Sequence, residues 1–81
     1  AKVAPLYTTK QGQYLAFIYY FTKIHGEPPS EAEMQRYFQV TPPSVHQMVL
    51  GLESKGLIAR TPGKSRSIRL LVDRANLSDL E

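Results

Sequence analysis

Cysteine is absent from the 81 residues, so neither a disulfide nor a cysteine-ligated metal can stiffen the fold, and apolar burial must suffice. No apolar run approaches the roughly 20 residues that cross a bilayer as a helix, and no secretory signal is visible. An intracellular, cytoplasmic chain is expected. Histidine is limited to His25 and His46, and no acid–base–nucleophile grouping or His–carboxylate ligand spacing accompanies them. Neither catalysis nor a metal or other cofactor is expected. Acid is missing over one long stretch: between Lys55 and Val72 there is no Asp or Glu.

What remains is the composition of a globular chain, 42% hydrophobic and 21% charged, and the length leaves room for one small core. The net charge of +3 is unevenly placed. Lys55, Arg60, Lys64, Arg66, Arg69 and Arg74 supply six of the ten cations, while Glu27, Glu31, Glu33 and Glu53 balance the earlier bases. Such a cationic block gains free energy against an anionic polymer by releasing condensed counterions. A solvated basic hairpin without a partner is the plainer alternative.

Residues 1–71 are expected to form the domain, and 72–81, VDRANLSDLE, an acidic C-terminal tail or linker. Thr8 and Gln11 have capping-box spacing. Tyr14, Leu15, Phe17, Ile18, Phe21 and Thr22 then recur at helical spacing until Gly26. Glu27-Pro28-Pro29 is a stiff connector, because each residue before a proline is pushed out of the α region. Ser30 and Glu33 form a second capping box, opening two helical turns to about Phe38, with Met34, Tyr37 and Phe38 as the apolar face. Gln39-Val40-Thr41 is the turn before a third helix, which has Thr41 as N-cap and Pro42 at its first position. Val40 and Val45 have the spacing of a hydrophobic staple. Val45, Met48, Val49 and Leu52 continue the buried face, and Gly56 stops the helix. Gly51 in its middle costs about 1 kcal/mol relative to alanine, and close packing against the first helix is the expected reason. Leu57 to Arg60 and Ser67 to Leu70 read as strands about the turn Thr61-Pro62-Gly63-Lys64, with Ile58, Ile68 and Leu70 inward and Arg69 outward.

Two short helices on a tight turn, then a basic hairpin, form the arrangement that presents one helix to the major groove of DNA. The expected fold is mainly α with a small β-hairpin: a three-helix bundle plus a two-stranded wing, or winged helix-turn-helix. Helix 41–55 would read bases through Pro43, Ser44, His46 and Gln47. Gln47 can bridge adenine, Ser44 can bond any base, His46 can donate to guanine or phosphate, and Pro43 can only pack. Backbone contacts are expected from Ser30 and Thr41, the capping hydroxyls at two helix N-termini, from Lys55, and from Arg60, Lys64, Ser65 and Arg66 of wing 60–67. Each taken alone is an ordinary solvated side chain; grouping on one helix and one hairpin favours the interface. Tyr19, Tyr20 and Ile24 fall off the core stripe and could join two copies as a homodimer, or simply lean on neighbours. His25 suits the dipole at a helix C-terminus. A protein-binding winged helix, using an exposed Leu50 beside Tyr19 and Tyr20, is the competing function. Single-stranded RNA binding lacks an aromatic stacking platform.

Several of these pieces, in order, resemble the N-terminal winged helix-turn-helix domain of LexA repressors. They are Thr8 with Gln11, Gly26-Glu27-Pro28-Pro29-Ser30, Thr41-Pro42, Leu52-Glu53-Ser54-Lys55-Gly56-Leu57-Ile58, and Pro62-Gly63-Lys64-Ser65-Arg66-Ser67-Ile68. The likeness covers roughly residues 7 to 71. It implies operator DNA as partner, repression by promoter occupancy, and association with the nucleoid. A LexA repressor also carries a serine–lysine self-cleaving peptidase domain that supplies dimerisation, and the residues after Leu71 are too few for one. A stand-alone regulator or an excised domain is therefore implied, and the tail gives no support for self-cleavage or a DNA-damage response. Pro43, Ser44, His46 and Gln47 stand where the family tends to show Asn and Glu, which implies a different operator.

Overall fold

The computed structural model describes residues 7–73 and Leu77. Its elements are α1 (Thr9–His25), α2 (Glu31–Phe38), α3 (Pro42–Ser54), β1 (Ile58–Ala59) and β2 (Arg69–Leu70). The strands pair antiparallel, Ile58 with Leu70 and Ala59 with Arg69. The architecture is the one expected, with a shorter ladder. Beyond those pairs the Leu71 amide donates to the Leu57 carbonyl at 2.9 Å and the Lys64 amide to the Thr61 carbonyl at 3.1 Å, while the Thr61 amide donates to the Ser67 hydroxyl at 3.0 Å.

Each helix begins and ends for a local reason. Thr8 caps α1 reciprocally with Gln11 (2.9 and 3.1 Å), and Ser30 caps α2 with Glu33 (2.9 and 3.2 Å). The α3 start departs from expectation. Thr41 is the N-cap residue but makes no side-chain bond to a helix amide; its hydroxyl lies 3.0 Å from that of Ser44. Pro42 and Pro43 occupy the first two helical positions and have no N–H, so the Ser44 amide is the one a cap could use, and the Thr41 hydroxyl meets the Ser44 hydroxyl instead. At the other end Gly56 is left-handed at φ 75°. The Gly56 and Leu57 amides donate to Glu53 and Leu52 carbonyls at 3.0 Å each, the paired bonds of a Schellman stop. Gln39 caps α2 in the left-handed region at φ 56°, turning the chain into α3 within two residues.

The core is one cluster. Tyr14, Leu15, Phe17 and Ile18 of α1 meet Met34 of α2, Val45, Val49 and Leu52 of α3, and Leu57, Ile58 and Ile68 of the hairpin. Tyr14 stacks on Phe38 with ring centroids 4.0 Å apart, and burial pushes the Tyr14 phenol above its ordinary range. Pro29 is fully buried, anchoring the α1–α2 connector in the core.

Some expected core positions lie further out. Tyr37 is exposed yet stacks on Phe17 at 4.5 Å, Met48 is half-buried, and the exposed Thr22 donates its hydroxyl to the Ile18 carbonyl. Leu57, not assigned inward from sequence, is buried as the partner of Leu52 at the helix stop. Gly51 has no close neighbour forcing it: a Cβ there would meet only Gln11 Nε2, at 3.8 Å. The packing reason expected for it therefore does not hold. Val72 and Leu77 pack against the core, whereas residues 74–76, Arg74 among them, and 78–81, like the arm before Tyr7, lie outside the described residues. Among those described, no helix is long and apolar enough to cross a membrane.

Candidate nucleic-acid interface

The exposed edge of α3 follows from the helical period. Val45, Val49 and Leu52 turn inward, so Thr41, Pro42, Pro43, Ser44, His46 and Gln47 stand outward. They form a ridge between two clefts. The cleft on the wing side, about 450 Å³, is lined by His46, by Ser30 and Glu31 of α2, and by Lys64, Ser65 and Arg66. On the other side a depression of about 500 Å³ joins Pro43, Ser44 and Gln47 to Lys10 and Gln11 of α1. The wing and His46 thus share one side of the molecule, and all four expected base-facing side chains lie on the same ridge.

The expected phosphate-facing groups divide. Lys64 and Ser65 are exposed at the wing tip, and among the described residues Lys64 has no carboxylate within ion-pair reach. Arg60, only 16% exposed, donates from Nε to Glu53 Oε1 at 3.1 Å. Arg66 donates to Glu33 Oε1 at 2.7 Å and to the Pro28 carbonyl at 3.3 Å, with Glu27 at 3.8 Å. Lys55 Nζ donates to Gln11 Oε1 at 2.9 Å, tying the end of α3 to the start of α1. These three cations are held by the protein itself.

The helix N-termini are also less open than their caps suggested. At α3 the two prolines remove two of the amides that would face an anion. At α2 the Ser30 and Glu33 amides are taken by the capping box, and Glu31 and Glu33 place negative charge there. Ser30 Oγ accepts from the Glu33 amide and keeps one proton to donate. The Arg66 hydrogen bond, then that of the Ser30 amide, hold the Glu33 carboxyl below the usual carboxylate range. His46 Nδ1 stands 3.5 Å from Glu31 Oε1, so the ridge leans on α2 through this pair.

Two residues of the site were missed from sequence. Lys10 lies in the first turn of α1, which carries no acid. A cation is unfavourable at that dipole end, and this misplacement was the available signal. Ser67 organises the wing: its Oγ accepts from the Thr61 amide at 3.0 Å and lies 3.2 and 2.9 Å from the Thr61 and Lys64 carbonyls. A lone serine in a basic loop gives no such signal.

The residues expected at a subunit contact do not share one face. Tyr19 and Tyr20 are half-buried, their rings edge to face at 5.1 Å. Tyr19 lines a groove with Lys23, Arg69 and Leu70. Ile24, on the face of Tyr20 one turn on, is 74% exposed. Leu50, expected exposed beside the tyrosines, is half-buried.

A three-helix body with a tight α2–α3 turn, an outward third helix and a cationic hairpin beside it is a winged helix-turn-helix protein. The chain belongs to the LexA DNA-binding domain family, whose sequence model, described as LexA DNA binding domain, matches residues 5–67. It is 41% identical over 64 residues to the LexA repressor of Thermosipho melanesiensis, covering 79% of this chain and 32% of that protein. The LexA repressor of Thermotoga neapolitana is 41% identical over 63 residues, with 78% and 32% covered. That of Bartonella quintana is 35% identical over 65 residues, with 79% and 27% covered. The chain spans about a third of the length of the first of these relatives.

Proposed function

We propose that this domain serves a transcriptional repressor by reading double-stranded operator DNA and occupying a promoter inside the cell, at the nucleoid. The observation that carries this is the exposed ridge Pro43, Ser44, His46 and Gln47, flanked by Lys64 and Ser65 on one side and Lys10 on the other. Gln47 and Ser44 supply hydrogen bonds to base edges, His46 a further donor or acceptor, and Pro43 an apolar contact for a thymine methyl. Lys64, Ser65, Lys10 and the remaining Ser30 proton meet phosphates on either flank, fixing register without reading sequence. Arg60, Arg66, Lys55 and the Thr41 hydroxyl support the frame instead. Two copies, meeting around Tyr20 and Ile24 with Tyr19 behind, would read an inverted repeat.

Selection from a random duplex library, followed by a salt titration of the enriched site, tests the proposal. An enriched motif is expected, with affinity falling steeply as salt rises, by a log–log slope of about 0.9 for each phosphate neutralised. No enrichment, together with a flat salt response, would favour a protein partner. An enriched single half-site would remove the self-contact.

A further inference from the structure

Arg66 combines two features that a phosphate ligand would not require. Its backbone is left-handed, at φ 56°, a conformation that glycine adopts without strain and a residue with a Cβ does not. Its side chain points away from the exposed wing tip, back to the α1–α2 connector and the cap of α2. Strain of this kind persists where surrounding contacts over-determine it. Here those contacts are a 2.7 Å charge-assisted hydrogen bond to Glu33, a second bond to the Pro28 carbonyl, and Glu27 at 3.8 Å. The wing needs such a tie, because its ladder is two residues long on each strand and its tip residues Lys64 and Ser65 are exposed.

Glu33 is the other half of the tie. Its Oε1 accepts both the Ser30 amide, which opens α2, and the Arg66 guanidinium. One carboxylate oxygen therefore joins the start of the helix before the recognition helix to the base of the wing. We propose that Glu33 and Arg66 form a latch that sets the wing against α3, making both positioning residues for DNA binding that act through Lys64. This deepens the proposed function and rests on it. It reverses the simple electrostatic expectation for Glu33. Removing an acid beside a polyanion should tighten binding, whereas opening the latch should weaken it.

Glu33→Gln separates the two, because glutamine keeps an oxygen for the Ser30 amide and the capping box survives. Duplex affinity and its salt slope are measured for the wild type, Glu33→Gln, Lys64→Ala and the double variant. Expected for Glu33→Gln are a loss of about two- to fivefold, the size of one partly exposed ion pair, and a slope reduced by about 0.9, as for Lys64→Ala. The double variant should bind no more weakly than Lys64→Ala alone. Unchanged or tighter binding by Glu33→Gln, or additive losses in the double variant, overturns the latch. A purely structural role would lower the melting temperature and leave the slope alone, which overturns it equally. Amide exchange in the free protein reads the latch without DNA: the Lys64 amide, bonded to the Thr61 carbonyl, should exchange faster in Glu33→Gln. If the wild type binds no duplex, the functional proposal fails and this exchange measurement decides the latch, unchanged exchange sinking it.

Discussion

The recognition helix and the wing flank the same cleft, yet they are held in place by different physics. α3 turns Val45, Val49 and Leu52 fully into the core, so its polar edge is displayed by apolar packing on a rigid helix. The hairpin contributes Leu57, Ile58 and Ile68 to that core, with Leu70 against it, and its loop is shaped by polar ties: the Ser67 hydroxyl, Arg60 on Glu53, and Arg66 on Glu33. Packing resists salt and acid, whereas ion pairs weaken with both. The domain thus pairs a helix fixed by the core with a hairpin fixed largely by polar and ionic ties.

The largest effect should come from cutting into the packing. Leu52→Ala removes a side chain that is fully buried under α3 and should cost about 2–5 kcal/mol of stability, measured by urea unfolding. A loss below about 1 kcal/mol would mean that the core collapses around the cavity, and that packing does not fix α3 as described. Gln47→Ala touches no core atom and should leave stability unchanged. Binding to the selected site should weaken by about 1–3 kcal/mol, with random duplex unaffected; equal loss on both would take Gln47 out of sequence reading.

Gly51→Ala sharpens the contrast from the stabilising side. Its new methyl meets only Gln11 Nε2 at an ordinary distance, so α3 should gain about 0.5–1 kcal/mol in thermal unfolding. A loss instead would show a tighter approach to α1 than the geometry allows. The smallest effect concerns acid. Because the folded state holds the Glu33 carboxyl below its ordinary value of 4.5, its contribution is complete above that value. It is lost as pH falls through the lowered folded value. Glu33→Gln should therefore lose less stability than the wild type on acidification below 4.5. Parallel acid curves for the two would contradict the pairing with Arg66.

Much of this was legible from residue order. Capping boxes at Thr8 and Ser30, the Gly26 and Gly56 stops, and the inward periodicity of Val45, Val49 and Leu52 are local signals, decided within one or two turns of chain. The candidate site was legible in part. Pro43, Ser44, His46 and Gln47 lie on the exposed ridge where helical spacing put them. Lys10 was not legible because the α3 residues it meets in the groove are more than thirty positions away in sequence. Arg60 and Arg66 looked like free cations because Glu53 and Glu33 stand 7 and 33 residues distant. No propensity reports a pairing of that kind.

By itself the sequence determined three helices, the two capping boxes and the hairpin, since these depend on period, composition and near-neighbour chemistry. Only the tertiary structure decided which cations face outward and which are neutralised, and on which side of α3 the wing lies. Charge is a property of a residue, but its availability to a ligand depends on what stands within a few ångströms. That distance is set by how the helices pack, not by position along the chain.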